Sequence, residues 1–176
     1  MDAYRYDQLR VLVVDDNQHM RSLMATVLRA IGIRSVLEAS DAQDGWKKLL
    51  GNPCDIVFVD WVMEGQSGLD FTRRLRTSSD SPNPFIPVIM LSGHTSGEQM
   101  QAARDAGVHE FLAKPVSANA ILHRLALVIE NPRPFVRTNS YFGPCRRRHN
   151  ESYHGPERRS AEDQTLDPHP VKASAA

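Results

Sequence analysis

Ile56-Val57-Phe58-Val59-Asp60 decides the reading of this chain: four apolar residues in succession run into a single carboxylate. A segment that is apolar at every position suits a strand buried on both faces, as in a parallel sheet covered by helices. Ligands of such sheets bind outside the carboxyl ends of the strands. Asp60 therefore stands at the mouth of an expected site.

The flanking segments repeat the pattern. Arg10-Val11-Leu12-Val13-Val14 is a second buried-strand run, and it ends in Asp15-Asp16-Asn17. Met20, Leu23, Met24, Val27, Leu28 and Ile31 then recur at spacings of three and four, one apolar helix stripe closed by Gly32. Residues 35–39 read as a short strand, and Asp41 caps a helix that Gly51-Asn52-Pro53 stops. Beyond Asp60, Gly68 opens a helix to about Arg76, and 77–84 is a polar loop. Residues 87–92 form another buried strand with a polar end, 96–106 a helix ended by Gly107, and 110–115 a last strand and turn. Ser117 caps a final helix with Ile121, Leu122, Leu125, Val128 and Ile129 on one side, ended by Asn131-Pro132. Five strands alternating with five helices through short links predict an α/β, flavodoxin-like, doubly wound parallel sheet.

Composition is ordinary for a water-soluble domain, with 41% hydrophobic and 24% charged residues. The N-terminus lacks the basic-then-apolar order of a signal peptide, and no apolar run is long enough to predict a transmembrane helix. Two distant cysteines, Cys54 and Cys145, fit free thiols in the cytoplasm. The net charge of zero hides an asymmetry: residues 1–132 carry thirteen Lys and Arg against sixteen Asp and Glu, whereas 133–159 carry seven Arg against two Glu. An acidic domain with a basic extension points to an anionic partner for the extension. The expected organisation is a domain over 1–132, an arginine-rich ligand-binding tail over 133–160, and a disordered terminus over 161–176. The tail as a whole is expected to be largely disordered.

Four strand ends direct polar groups to one rim: Asp15 and Asp16, Asp60, Ser92 and Lys114. Three carboxylates cannot share a dry pocket without a counter-charge. Oxygen ligands of this kind suit Mg²⁺, which accepts few carboxylates plus waters. Metal, ammonium and hydroxyl together are equipment for holding a phosphoryl group, and a carboxylate can itself accept one. With Val13-Val14-Asp15-Asp16, Asp60 and the following Gly68, Leu91-Ser92-Gly93, and Phe111-Leu112-Ala113-Lys114-Pro115 in place, residues 8–131 resemble the receiver domains of two-component response regulators, the CheY-like fold. The resemblance implies a sheet of order 2-1-3-4-5. It implies Asp60 as phosphoacceptor, with Asp16, Asp15, Asp60 and the carbonyl of Val62 around Mg²⁺. Ser92 and Lys114 would contact the phosphoryl oxygens, Phe111 would be the switch aromatic, and a histidine kinase would be the donor. It also implies a cis Lys114-Pro115 bond. Glu64 departs from the proline common in the family, and Val62 and His94 occupy the positions that govern water access.

The tail holds an internal repeat. Ser140-Tyr141-Phe142-Gly143-Pro144-Cys145-Arg146-Arg147 is echoed by Ser152-Tyr153-His154-Gly155-Pro156-Glu157-Arg158-Arg159. Each copy joins two flat rings, a turn and two guanidiniums. Arginine forks match phosphates and the O6/N7 edge of guanine, and aromatic rings offer stacking faces to bases. The chain is thereby also similar to CheY-like effectors of cyclic di-GMP that carry an arginine-rich C-terminal segment and act on flagellar motility. That resemblance implies Arg146, Arg147, Arg148, Arg158 and Arg159 as ligand contacts, supported by Tyr141 and Tyr153, with Arg137 as a further candidate and the flagellar motor switch as protein partner. It implies a signalling adaptor, with neither an enzymatic nor a DNA-binding output. Two alternatives stand beside it: a phosphorylation-driven adaptor whose basic tail is a nonspecific membrane-surface anchor, and a tail that binds nucleic acid.

Overall fold

The computed structural model describes residues 6–93, 96–146 and 164–167. After a 3-10 turn at Tyr6–Gln8, strands β1 (Arg10–Val14), β2 (Ser35–Ala39), β3 (Ile56–Asp60), β4 (Val88–Ser92) and β5 (Glu110–Ala113) alternate with helices α1 (Gln18–Ile31), α2 (Ala42–Gly51), α3 (Gly68–Thr77), α4 (Gly97–Ala106) and α5 (Ala118–Glu130). The strands form one parallel sheet in the order β2-β1-β3-β4-β5.

The unbroken apolar runs have a simple cause: successive side chains enter two different cores. Leu12, Val14, Val57, Val59, Val88 and Met90 face Trp46 and Leu49 of α2 and Phe71 and Leu75 of α3. Val11, Val13, Ile56, Phe58, Ile89 and Leu91 face Met24 and Leu28 of α1 and Ile121, Leu125 and Val128 of α5. Every residue of β3 and β4 is buried. Side-chain caps start the helices: Asn17, Asp41, Ser67, Ser96 and Ser117 each accept from backbone N–H groups of the first turn, Asp41 and Ser117 as the sequence predicts. Ser96 and Gln99 form a reciprocal capping box.

The chain does not leave the domain after α5. Strands β6 (Phe135–Arg137) and β7 (Phe142–Pro144) form an antiparallel hairpin, and β8 (Gln164–Leu166) pairs with the other edge of β6. Composition alone leaves the start of this segment without structure; burial of one ring explains the difference. Phe135 is fully buried, its centroid 4.9 Å from that of Phe85, 5.4 Å from Phe142 and 5.4 Å from the His109 ring. Apart from residues 164–167, the chain beyond Arg146, including the predicted contacts Arg147, Arg148, Tyr153, Arg158 and Arg159, lies outside the described residues, as does His94.

Candidate phosphoryl site and a second, arginine-bearing pole

Asp15 follows directly on β1 and is fully buried. Its Oδ1 accepts from the Asn17 N–H (2.8 Å), and Arg21 Nη1 donates to its carbonyl (2.7 Å), fixing the turn into α1. Asp16 is exposed and accepts the Glu64 N–H at 3.0 Å, which ties the loop after β3 to the end of β1. Asp60 ends β3 and is buried. One carboxylate oxygen from each of the three lies within 4.8 Å of the others. Lys114 Nζ donates to Asp60 Oδ1 at 2.7 Å and to Asp15 Oδ2 at 3.0 Å. The lysine is carried in by β4, since its N–H donates to the Ser92 carbonyl at 2.8 Å, and the Lys114-Pro115 bond is cis. Ser92 itself is buried at the end of β4.

One ammonium among three carboxylates leaves a charge imbalance that a divalent cation would offset. An all-oxygen donor set of this kind suits Mg²⁺, with Asp15, Asp16 and Asp60 as the groups that would hold it. Burial pushes the Asp60 carboxyl above the usual range; Lys114 opposes this and the Asp15 charge adds to it. Burial pulls Lys114 down, but its bonds to Asp60 and Asp15 prevail and hold its proton more firmly than usual. A more basic Asp60 carboxylate is a better nucleophile, and the adjacent ammonium can receive the charge of a transferred phosphoryl group.

Gly68 is a steric requirement. A Cβ there would run into the Asp60 carbonyl oxygen, and the Gly68 N–H donates to the Trp61 carbonyl at 3.1 Å. Phe111 is half-buried, and its ring stacks on Trp61 with centroids 6.4 Å apart and planes at 29°. Arg124 Nε donates to the Phe111 carbonyl at 2.6 Å. Trp61 was not among the predicted site residues, although its place immediately after Asp60 was a usable signal. The Val62 side chain is 73% exposed and stays out of the cluster.

The structure brings Asp15, Asp16, Asp60, Lys114 and Ser92 together but places Tyr141 and Arg146 elsewhere. These two sit beside the amino ends of β4 and β5 and the carboxyl ends of α3 and α4. On the order of 13 Å of β4 separates that pole from Ser92. The anchor there is Arg76, a buried residue of α3 absent from the predicted set. Its Nε donates to the Gly107 carbonyl (3.1 Å), Nη1 to Pro84 (2.7 Å) and Nη2 to Ile86 (2.8 Å), and its guanidinium lies 5.3 Å from the Phe135 centroid. Burial pulls Arg76 down to about 9, which leaves it cationic at neutral pH. Its place beside Leu75 and four residues after Thr72, on the buried side of α3, was the signal for it. Arg133 reaches back to the carbonyls of His109 (3.0 Å) and Cys145. In the first repeat unit the Tyr141 hydroxyl donates to the Pro144 carbonyl at 2.8 Å, and the Arg146 guanidinium lies over the Tyr141 ring at 4.3 Å. A Cβ on Gly143 would meet the Tyr141 hydroxyl and the Gly107 Cα, so the unit's Gly-Pro is fitted to the end of α4.

A parallel 2-1-3-4-5 sheet with an acidic cluster and a lysine at the strand ends defines a phosphoryl-accepting signalling domain. Residues 11–126 match the family model of the response regulator receiver domain. The chain is 30% identical over 130 residues to the chemotaxis protein CheY-3 of Vibrio cholerae, spanning 74% of this chain and 98% of that protein. It is 32% identical over 122 residues to the chemotaxis protein CheY1 of Helicobacter pylori, spanning 69% and 97%. The solved structure of Vibrio cholerae chemotaxis protein CheY4 superposes with a TM-score of 0.64 at 28% identity, over 68% of this chain and 98% of that one. The chain belongs to the response regulator receiver family, whose members bind Mg²⁺ at an acidic site of this kind. No helix among the described residues is long and apolar enough to cross a membrane.

Proposed function

We propose that this chain is a phosphorylatable signalling adaptor that also binds cyclic di-GMP through its arginine-rich segment and, when liganded, docks on the flagellar motor switch. On this reading Asp60 attacks the phosphorus of a histidine kinase's phosphohistidine, and the phosphorus–nitrogen bond breaks. Lys114 then turns from the Asp60 carboxylate to a phosphoryl oxygen, and the Ser92 hydroxyl takes another. Mg²⁺ held by Asp15, Asp16, Asp60 and the Val62 carbonyl would neutralise the remaining charge. Inward movement of Ser92 vacates space for Phe111, whose ring leaves Trp61; the change registers on the face of α4, β5 and α5. The setting is the cytoplasm, in keeping with the free thiols Cys54 and Cys145.

The observation that carries the receiver half is Lys114 bridging Asp15 and Asp60 inside the carboxylate cluster. The nucleotide half is supported by the first repeat unit, which holds a guanidinium over a tyrosine ring, a surface suited to a phosphate beside a base. The names of the relatives, chemotaxis proteins, support the motor as partner. Titration calorimetry with cyclic di-GMP tests the reading. Wild-type protein is expected to bind, and Arg147→Ala with Arg159→Ala to lose most of the affinity. Full affinity in the double variant, or equal competition by single-stranded nucleic acid at physiological salt, argues for a passive basic tail instead.

A further inference from the structure

Arg146 is expected to contact a nucleotide phosphate, yet it is already occupied. Its Nη2 lies 2.8 Å from Oδ1 of Asp105, in the last turn of α4, and its guanidinium covers Tyr141. Asp105 gains little from its own helix. A carboxylate at a helix carboxyl end opposes the helix dipole, and its neighbour on α4 is the neutral amide of Gln101, which donates to both carboxylate oxygens at 3.2 Å. Among the described residues the cationic group that faces it is Arg146, which follows β7 and is brought there by close packing. Gly143 sits against Gly107, the residue that closes α4.

Resting on the nucleotide reading above, we propose that Asp105 is a built-in stand-in for a ligand phosphate: it holds Arg146 against α4 in the free protein, and a phosphate of cyclic di-GMP replaces it. The arginine keeps its place over Tyr141 and exchanges one anionic oxygen partner for another. Binding then breaks the ion pair that ties the arginine to the last turn of α4, so the same event that seats the nucleotide reaches a helix of the receiver. The exchange also sets affinity, because the ligand must displace an ion pair rather than meet a free guanidinium.

The pair is solvent-exposed, 44% and 45% at its two side chains, so the effect is modest. Freeing Arg146 by Asp105→Asn is expected to tighten cyclic di-GMP binding about two- to fivefold at low salt, with the gain shrinking as salt rises. Removing any nearby negative charge could mimic this. Glu98→Gln, about 10 Å along the same helix, is the control and is expected to leave affinity within a factor of about 1.5. In wild-type protein the carboxyl carbon resonance of Asp105 is expected to move on nucleotide addition. Nucleotide binding with an unmoved Asp105 resonance, or equal affinity in wild type and Asp105→Asn, overturns the exchange alone. A wild-type chain that binds no cyclic di-GMP overturns the functional reading and the exchange together.

Discussion

At Asp60 the structure sets function against stability. Burial raises its carboxyl above the usual range, so the folded state binds the proton more tightly than the unfolded chain does. The stability linked to Asp60 is therefore present below the unfolded value and lost as pH rises through the folded one. At neutral pH the ionised group is a cost. Asp60→Asn is expected to abolish labelling by acetyl phosphate and, in chelator, to raise the urea midpoint; Mg²⁺ is expected to narrow that gap by stabilising the wild type. An equal midpoint in chelator would show that Lys114 fully compensates the site. His109 shows the opposite linkage. Its Nδ1 accepts the Val88 N–H at 3.2 Å and faces Arg76 at 3.3 Å. Burial, with the Arg76 and Arg133 charges, holds its pKa well below the ordinary value of 6.5. The unfolded chain protonates first, so stability is full above about pH 6.5 and declines below it by at most about 1.4 kcal/mol per pH unit. Urea titrations from pH 7.5 to 5 are expected to lose that component in His109→Asn, whose amide oxygen can still accept from Val88.

The second sheet earns its structure through a few anchors. Phe135 touches Phe85, Phe142 and His109 and lies under Arg76. Phe135→Ala is expected to cost about 3–5 kcal/mol, read as a lower thermal midpoint; a loss under about 1 kcal/mol would mean that β6 is merely laid on the domain. The same contacts explain what the sequence disclosed and what it withheld. The three central strands, β1, β3 and β4, were legible because their side chains enter apolar cores on both faces, leaving continuous runs such as Ile56–Val59, whereas the edge strands β2 and β5 were legible from their place between helices. The carboxylate cluster was legible because topology sends the ends of parallel strands to one rim. Strands β6, β7 and β8 are three residues each, too short to show a period, and prolines at 132, 134 and 144 imitate a loop. Arg76 was hidden for a chemical reason: its charge reads as surface, whereas here backbone carbonyls of Gly107, Pro84 and Ile86 solvate it.

Over the whole molecule, the phosphoryl site and the arginine-bearing pole occupy opposite ends of the same central strands. Beryllofluoride with Mg²⁺, a phosphoryl mimic, is expected to change the emission of Trp61 as Phe111 leaves it. The change is expected to persist in Trp46→Phe, where Trp61 is the remaining tryptophan, and to vanish in Asp60→Asn. Any coupling between the two poles is reciprocal: if the mimic tightens nucleotide binding, the nucleotide tightens the mimic by the same factor. Strand β4 adds a mechanical constraint. It carries Ser92 at one end, while at the other the Val88 N–H is held by the His109 ring and the Val88 carbonyl accepts the His109 N–H at 2.9 Å. A nearly extended backbone cannot lengthen, so β4 acts as an inextensible strut. Sliding of Ser92 along its axis must arrive at Val88 undiminished, whereas rotation of the Ser92 side chain is absorbed where it occurs. The Val88 amide, at the far end of the strut, is therefore the place to read which of the two motions the receiver makes.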